Sequence, residues 1–164
     1  MTVAGTDAAG AVLPHLARQL IALHAQRADI AGRVEALVEA HPLYPVLASM
    51  PGIGVPAAAV FLAETLGKTF TTGAQLASYA GLAPVTRRSG SSIKGEHVSH
   101  AGNKRLKRAM FLSAFASLRS DPISRAYYQR KRDQGKRLGQ AVLALAHRRI
   151  LTLNAMIRDG ALYD

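Results

Sequence analysis

Apolar residues recur with a helical period over the first quarter of the chain. They are separated alternately by three and four positions, with one basic residue completing the series: Leu13, Leu16, Leu20, Leu23, Arg27, Ile30, Val34 and Leu37. Such spacing, kept over about four heptads, is typical of a coiled coil, although one long amphipathic helix packed on its own domain shows it as well. We predict a coiled-coil helix over residues 12–41 that ends before Pro42 and Pro45 and follows a disordered segment, residues 1–11.

Helical periodicity also organises residues 42–164, which we predict to form one compact domain. A short helix is expected over residues 72–80, and further helices over residues 103–158, with a break at Asp121-Pro122. We find no segment with a convincing strand pattern. The predicted fold class is therefore all-α: a long N-terminal coiled-coil helix followed by a compact helical domain that contains a helix-hairpin-helix.

The helix-hairpin-helix is predicted at about residues 47–67, where two helical stretches flank the turn Pro51-Gly52-Ile53-Gly54. Two glycines two positions apart allow a tight turn and a close approach of the backbone to a ligand. The N–H groups at the start of the second helix can then bind a phosphate oxygen. The pattern resembles a motif that binds nucleic-acid backbones without sequence preference, and a plain turn between two helices is the alternative.

The positive charge of the chain is confined to one stretch. Residues 87–149 hold 16 Lys and Arg against 3 Asp and Glu, whereas residues 1–86 hold 4 against 5 and residues 150–164 hold 1 against 2. The net charge of +11 therefore comes from a single stretch of +13. So concentrated a charge attracts polyanions, of which nucleic acid is the commonest in a cytoplasm. An anionic membrane surface is the alternative, but the chain has no Trp to anchor it there.

The composition disfavours several other classes of protein. The absence of Cys excludes disulfides, thiolate metal sites and a cysteine nucleophile. The longest apolar runs, such as residues 57–63, are too short to span a bilayer, so we expect a cytoplasmic protein with no membrane partner. The acids of the basic stretch are Glu96, Asp121 and Asp133, which are too scattered for a two-metal nuclease. We expect no metal or other cofactor in this chain.

Residues 84–102 (PVTRRSGSSIKGEHVSHAG) are rich in Gly, Ser and Thr and are predicted to form a basic loop. Three serines and three cations lie close together in it: Ser89, Ser91, Ser92, Arg87, Arg88 and Lys94. A serine that attacks phosphorus needs cationic groups to stabilise the charge that builds on the phosphoryl oxygens, and guanidinium groups do this well. From the residues alone, serines that only contact phosphate or solvate the loop are the alternative.

The order of motifs from about Leu43 to Tyr163 resembles one family. PGIG is followed by LASYAGLAPVTRRSGSS, by HAGNKRLKRAMFLSA and by a closing helix, RRILTLNAMIRDGALY. This series is similar to the C-terminal domain of the insertion-sequence 110 family of transposases (IS116/IS110/IS902 type). The resemblance implies DNA transposition in which a ribonuclease-H-like domain binds Mg²⁺ and the C-terminal domain supplies a serine that links covalently to DNA. It also implies DNA, a structured guide RNA and a second copy of the chain, joined through residues 13–37, as partners.

The candidate site residues come from the resemblance and from the basic stretch. The serine of the Arg-Ser-Gly element is Ser89, which the resemblance implies as the nucleophile, with Ser91 or Ser92 as the alternative. The residues predicted to contact nucleic acid are the glycines of the hairpin turn and polar residues of the loop and of the following helix: Gly52, Gly54, Arg87, Arg88, Lys94, Asn103, Lys104, Arg105, Lys107 and Arg108. Both sets lie within the segment that resembles the family.

The chain departs from the family pattern in one respect, since nothing before residue 12 could encode the acidic domain. We therefore expect an excised domain, a truncated gene product or a relic. The expected function is that of a nucleic-acid-binding, serine-bearing transposase domain, which is an enzyme only in combination with the acidic domain and its Mg²⁺. The alternative is a DNA- or RNA-binding dimerisation module without catalytic activity, which could inhibit a full-length transposase.

Overall fold

The computed structural model describes residues 5–89, 93–98 and 101–164, and of the strand residues 85–89 and 93–98 it describes the backbone. Within these residues the chain forms seven helices and two strands: α1 (Thr6–Glu39), α2 (Tyr44–Ser49), α3 (Val55–Thr65), α4 (Gly73–Tyr79), β1 (Pro84–Ser89), β2 (Ile93–Val98), α5 (Lys104–Ser120), α6 (Pro122–Asp133) and α7 (Leu138–Asp159). The chain divides into two units, one up to Leu37 and one from Val38 to Asp164.

Helix α1 begins earlier than the hydrophobic pattern predicts. It has 34 residues, which corresponds to about 51 Å at 1.5 Å per residue, and it starts at Thr6. The prediction of disorder is therefore wrong for residues 6–11. Ala8 and Ala9 favour a helix, Asp7 places a negative charge at its positive end, and each residue added to an existing helix gains a hydrogen bond.

The apolar seam of α1 is exposed along its length. Its exposed fraction ranges from 37% at Val34 to 75% at Leu37, and Leu20 near the middle is 57% exposed. Val38, at the C-terminal end, is the buried residue of this helix. The long N-terminal helix is thus confirmed, and its pairing with another helix stays a prediction.

The second unit is built around α7. This helix packs against α4, α5 and α6, and α5 packs in turn against α3. The large core side chains with almost no exposure come from α2, α4, α5, α7 and the turn after α2: Leu47, Met50, Leu76, Leu106, Met110, Val142, Leu145, Ile150 and Leu153. The predicted all-α fold is confirmed for this core, and one β-hairpin is the exception.

The helices that follow the hairpin begin where the capping residues indicate. The side chain of Asn103 accepts a hydrogen bond from the N–H of Leu106 (2.9 Å) at the start of α5. Asp121 accepts hydrogen bonds from the N–H groups of Ile123 (3.0 Å) and Ser124 (3.2 Å) at the start of α6. These side chains satisfy N–H groups that have no partner within the helix. The predicted break between two helices at Asp121 is confirmed.

The basic segment predicted as a loop contains a β-hairpin, so the loop prediction is wrong for residues 84–89 and 93–98. Strands β1 and β2 pair antiparallel with Arg88 opposite Lys94 and Ser89 opposite Ile93. The missed signal is local, since the β-branched residues Val85, Thr86 and Ile93 lie on either side of a short Gly-Ser-Ser sequence, a composition that suits two strands and a short connection. Abundant Gly, Ser and charge hid this pattern, because those residue types are also typical of loops.

Candidate nucleic-acid interface

The β-hairpin is joined to the helical core at two glycines that touch each other. Gly81 and Gly102 have positive φ angles of 66° and 89°, and a Cβ on either one would overlap the backbone of the other segment. The N–H of Asn103 donates to the carbonyl oxygen of Tyr79 (2.7 Å), which closes the same junction. Only glycine combines this backbone conformation with so close an approach. The two ends of the hairpin segment therefore lie side by side, directly before α5.

Helix α5 opens with a concentration of positive charge. Four of its first five residues are basic: Lys104, Arg105, Lys107 and Arg108. No acid lies in the first turn, although the positive end of the helix dipole favours negative charge there. Burial lowers the pKa of Lys107, while the side chain of Arg105 is 86% exposed. Such a cluster opposes helix stability, and a bound anion would relieve the repulsion.

Asn103 is held by the protein on both sides of its amide. Its nitrogen donates to Glu64 Oε2 (2.5 Å) and to the hydroxyl of Tyr79 (3.1 Å), while its oxygen accepts from Leu106. Glu64 also lies 3.6 Å from a guanidinium nitrogen of Arg105. These contacts give Asn103 a positioning role at the start of α5. Its predicted contact with nucleic acid stays a prediction.

The glycine turn before α3 packs against α5. Gly52 has a φ angle of 82°, and a Cβ at this position would overlap the carbonyl oxygen of Ser113 and the N–H of Ser117. Gly54 is extended at the start of α3, and a Cβ there would meet little. The close approach that the sequence assigns to a ligand is therefore made by α5 at Gly52. Phosphate binding by the two glycines stays a prediction, and α2 on the other side of the turn has only six residues.

Ser89 is the last residue of β1. It is paired with Ile93, and the neighbouring pair joins two basic residues, Arg88 and Lys94. Like charges placed directly opposite each other disfavour strand pairing. The alternative nucleophiles, Ser91 and Ser92, lie outside the described residues. The structure therefore places the Ser89 backbone within the basic hairpin and tests none of the three serines as a nucleophile.

One of the sixteen cations of the basic stretch lies inside the core. Arg149 on α7 is 4% exposed, and its guanidinium lies 3.9 Å from the carboxylate of Asp121, which is equally buried. The same guanidinium donates to the hydroxyls of Ser113 and Ser124 (both 3.3 Å) and to the carbonyl oxygen of Pro51. Arg149 thus joins the turn before α3 to three helices and is unavailable to nucleic acid. Charge counting cannot distinguish such a residue from a surface cation.

The hydrogen bonds around Asp121 determine the direction of its pKa. Burial by itself raises this pKa, but hydrogen bonds from the Ser124 side chain and from the N–H groups of Ile123 and Ser124 outweigh it, so the pKa lies below its usual value. Burial raises the pKa of Tyr163, whose hydroxyl donates to Asp121 (3.3 Å). Burial also lowers the pKa of Arg149, against the attraction of Asp121. The ionised pair is thus supported by neutral donors to Asp121 and neutral acceptors for Arg149.

The described carboxylates do not form the donor set of a magnesium site, which needs several acids directed at one point. Glu64 bonds to Asn103, Asp121 bonds to Ser124, and Asp133 accepts a hydrogen bond from Gln129 (2.9 Å). No group of three or more His, Cys, Asp or Glu that could hold a metal ion occurs in the part of the chain that is described.

The described helices do not meet the requirements of a membrane span. None of those described combines the length and the apolar character that crossing a bilayer demands.

The helical core carries a basic β-hairpin next to the cation-rich start of α5, an arrangement that suits contact with a polyanion. The model of the family described as Transposase IS116/IS110/IS902 matches residues 44–129. This match covers more than half of the chain and includes the hairpin, α5 and most of α6. The chain belongs to this family.

Relatives from several bacteria extend the match. The chain is 54% identical over 165 residues to the 43.6 kDa protein of insertion element IS110 from Streptomyces coelicolor, covering 100% of this chain and 41% of the relative. It is 44% identical over 163 residues to the 42 kDa protein of insertion element IS900 from Mycobacterium paratuberculosis, covering 98% and 41%. A pilin gene-inverting protein of Moraxella lacunata is 35% identical over 125 residues, covering 73% and 38%. The chain therefore spans about two fifths of the length of these relatives.

Proposed function

We propose that this chain is the nucleic-acid-binding, serine-bearing domain of a DNA transposase or recombinase, in which Ser89 is the nucleophile. The observation that carries the proposal is the contact between Gly81 and Gly102. This contact holds the two ends of the segment that contains Ser89 beside the basic start of α5. The family resemblance implies that the Mg²⁺-binding carboxylates of the reaction belong to a separate acidic domain, and we propose the same division here. Family membership and the name of the pilin gene-inverting relative support a role in DNA rearrangement.

The cations of the hairpin and of α5 supply the electrostatic part of this function. The same cations can serve binding and chemistry, since a phosphodiester needs cationic donors both to bind and to offset the charge of its transition state. We propose that they hold DNA and that a structured guide RNA, which the family resemblance implies, occupies part of the same charged surface. The cytoplasm, where DNA and RNA are both accessible in a bacterium, is the proposed location.

The binding proposal is tested by removing charge from α5. Replacing Arg105, Lys107 and Arg108 together with Gln should weaken binding of every duplex sequence alike, because phosphate contacts carry no sequence information. The slope of log affinity against log salt should fall by about two to three, since each lost phosphate contact removes about 0.9 from it. Fluorescence anisotropy with two unrelated DNA duplexes over a range of salt concentrations measures both quantities.

A control variant keeps the positive charge of α5. Arg105→Lys with Arg108→Lys should retain most of the salt dependence, because each ammonium group still releases counterions. Wild-type affinity that does not change between low and moderate salt would contradict nucleic-acid binding by this surface.

We further propose that α1 pairs with α1 of a second copy. The seam is apolar at seven positions and exposed in the single chain. Burying such a stripe against an identical helix removes apolar surface from water, which stabilises by about 25 cal/mol per Å². Arg27 interrupts the seam, and a cation at this position favours one register at a cost in stability.

The pairing proposal makes opposite predictions for two variants. Leu20→Asp with Leu23→Asp should produce monomers, because charges would then lie in the seam. Arg27→Leu should strengthen association, because it removes a charge from the same seam. Light scattering at several protein concentrations, with and without DNA, measures the mass. A wild-type chain that stays monomeric at high concentration would exclude self-association through α1.

A further inference from the structure

Three cations surround one aromatic ring on the surface formed by α6 and α7. The guanidinium carbons of Arg130 and Arg148 each lie 5.1 Å from the centroid of the Tyr127 ring, and the Lys131 nitrogen lies 5.5 Å from it. Arg130 and Arg148 are exposed, while Tyr127 is half-buried against the core. These four residues define the α6–α7 basic surface. None of them belongs to the hairpin or to the start of α5.

Among the described residues, no acid forms an ion pair with a cation of this surface. The ion pairs among the described residues involve other cations: Arg33, Arg105, Arg149 and Arg158. Lys131 donates to the neutral side chain of Gln134 (3.1 Å), and Asp133 accepts from Gln129. Three like charges around one ring repel each other, and each gains only a small stabilisation from the ring at an exposed site. A polyanion would relieve the repulsion that remains.

We propose that the α6–α7 basic surface is a second contact for the phosphate backbone of nucleic acid, separate from the hairpin and α5. The inference rests on the proposed function, since it extends the binding surface of the same domain. Guanidinium groups match phosphate oxygens with two parallel hydrogen bonds. Because the Tyr127 ring already holds both guanidiniums close to one point, less side-chain freedom is lost when a phosphate binds.

The first test compares two triple variants of the full-length chain that lose the same charge. Arg130→Gln, Lys131→Gln and Arg148→Gln remove the charge of the α6–α7 basic surface. The control, Arg18→Gln, Lys68→Gln and Arg119→Gln, removes three exposed cations that do not share a ring and lie outside the ion pairs named above. The first variant should bind nucleic acid at least about tenfold more weakly at moderate salt. Its slope of log affinity against log salt should be lower by about two to three. The control should change affinity by about threefold or less. Circular dichroism shows whether both variants keep their helices.

Two nucleic acids identify the source of the phosphate. A duplex DNA and a folded RNA are titrated separately against the wild type and both triple variants. A loss of affinity in the α6–α7 triple variant with either nucleic acid supports the proposal. The nucleic acid whose affinity falls more is the one that occupies this surface.

The second test uses Tyr127 directly. The chain has no Trp, so Tyr127→Trp introduces a single indole at the centre of the three cations. Its fluorescence should change as nucleic acid is added, over the same concentration range as binding measured by anisotropy. A matched Tyr44→Trp variant, with its indole at the start of α2, should show little change. Tyr127→Phe should retain affinity within about twofold, because the ring face that holds the cations remains.

The outcomes separate this inference from the proposed function. If the α6–α7 triple variant binds like the scattered control while the α5 triple variant loses affinity, the second contact is wrong and the proposed function stands. If the wild type shows no salt-dependent binding to DNA or RNA, both are wrong. Loss of affinity in the α6–α7 variant but not in the scattered control, with a fluorescence response at Tyr127→Trp, supports the second contact.

Discussion

An Asp121→Ala variant is expected to lose about 3–5 kcal/mol of unfolding free energy, because it leaves the buried Arg149 guanidinium without its carboxylate. The variant also removes the side chain that accepts the first N–H groups of α6. Urea unfolding monitored by circular dichroism measures the change. Asp133→Ala, which removes an exposed acid from the other end of α6, should change stability by about 0.5 kcal/mol or less.

A second substitution distinguishes the ion pair from a general packing defect. Asp121→Ala combined with Arg149→Met removes the uncompensated charge and places an apolar side chain among the core residues. The double variant should be more stable than Asp121→Ala alone, since apolar replacements of buried ion pairs are often well tolerated. A double variant that is less stable than Asp121→Ala would show that the guanidinium stabilises the core without Asp121, through its hydrogen bonds to Ser113, Ser124 and Pro51.

The pH dependence of stability follows from the lowered pKa of Asp121. A carboxyl group whose pKa is lower in the folded state binds protons less readily there than in the unfolded chain. Its contribution is complete above its ordinary pKa of 3.8 and is lost as the pH falls through the lower folded value. Wild-type stability should therefore decrease as the pH falls below about 4, and the decrease should be smaller in Asp121→Ala. Equal slopes in both proteins would assign the acid sensitivity to other carboxylates.

Sequence reasoning succeeds in this chain where local chemistry decides the structure. Asn103 and Asp121 cap helices that their positions in the sequence already indicate, and Gly160 ends α7 with a φ angle of 63°. The seam of α1 is likewise visible as a three-four spacing. These features depend on a few neighbouring residues, so one sequence is enough to find them.

Long-range packing explains what sequence reasoning misses. Arg149 lies four positions after Leu145 and four before Leu153, on the buried side of α7, and this spacing was the available signal. The pairing partner of a buried cation, Asp121, is 28 positions away and cannot be found from helical periodicity. Gly52 is similar, since its lack of a side chain allows close contact with the backbone of α5, more than 60 positions further along the chain. The location of the hairpin beside α5 depends in the same way on the contact between Gly81 and Gly102.

Under the proposed function, the wild-type chain should form a covalent protein–DNA adduct when the acidic domain is supplied in trans or by fusion with Mg²⁺ present, and Ser89→Ala is expected to abolish that adduct. A serine oxygen that attacks a phosphodiester forms a bond to phosphorus while the bond from phosphorus to a sugar oxygen breaks, and that sugar oxygen leaves with a proton. Alanine has no oxygen to make this bond. Denaturing gels with labelled DNA detect the adduct, and mass spectrometry of its peptides identifies the linked residue.

DNA affinity should barely change in the same variant. The basic hairpin and α5 keep their charges, and a neutral hydroxyl adds little to binding that depends on phosphate neutralisation. Loss of the adduct with unchanged affinity therefore separates chemistry from binding. A large loss of affinity in Ser89→Ala would instead mean that the hairpin has been disturbed. Ser89→Cys, which keeps a small polar group, should then retain the wild-type affinity.

The acidic domain is as necessary to this prediction as the serine. A hydroxyl is a weak nucleophile until a base takes its proton, and under the proposed function the Mg²⁺-binding carboxylates of the reaction belong to the acidic domain. The chain alone should therefore neither cleave nor join DNA, whatever the Mg²⁺ concentration. If the adduct survives in Ser89→Ala but is lost in Ser91→Ala or Ser92→Ala, the nucleophile is the neighbouring serine and the mechanism stands. If it survives all three single substitutions, the nucleophile is not a serine of the Arg-Ser-Gly-Ser-Ser sequence, and the proposed serine mechanism is wrong.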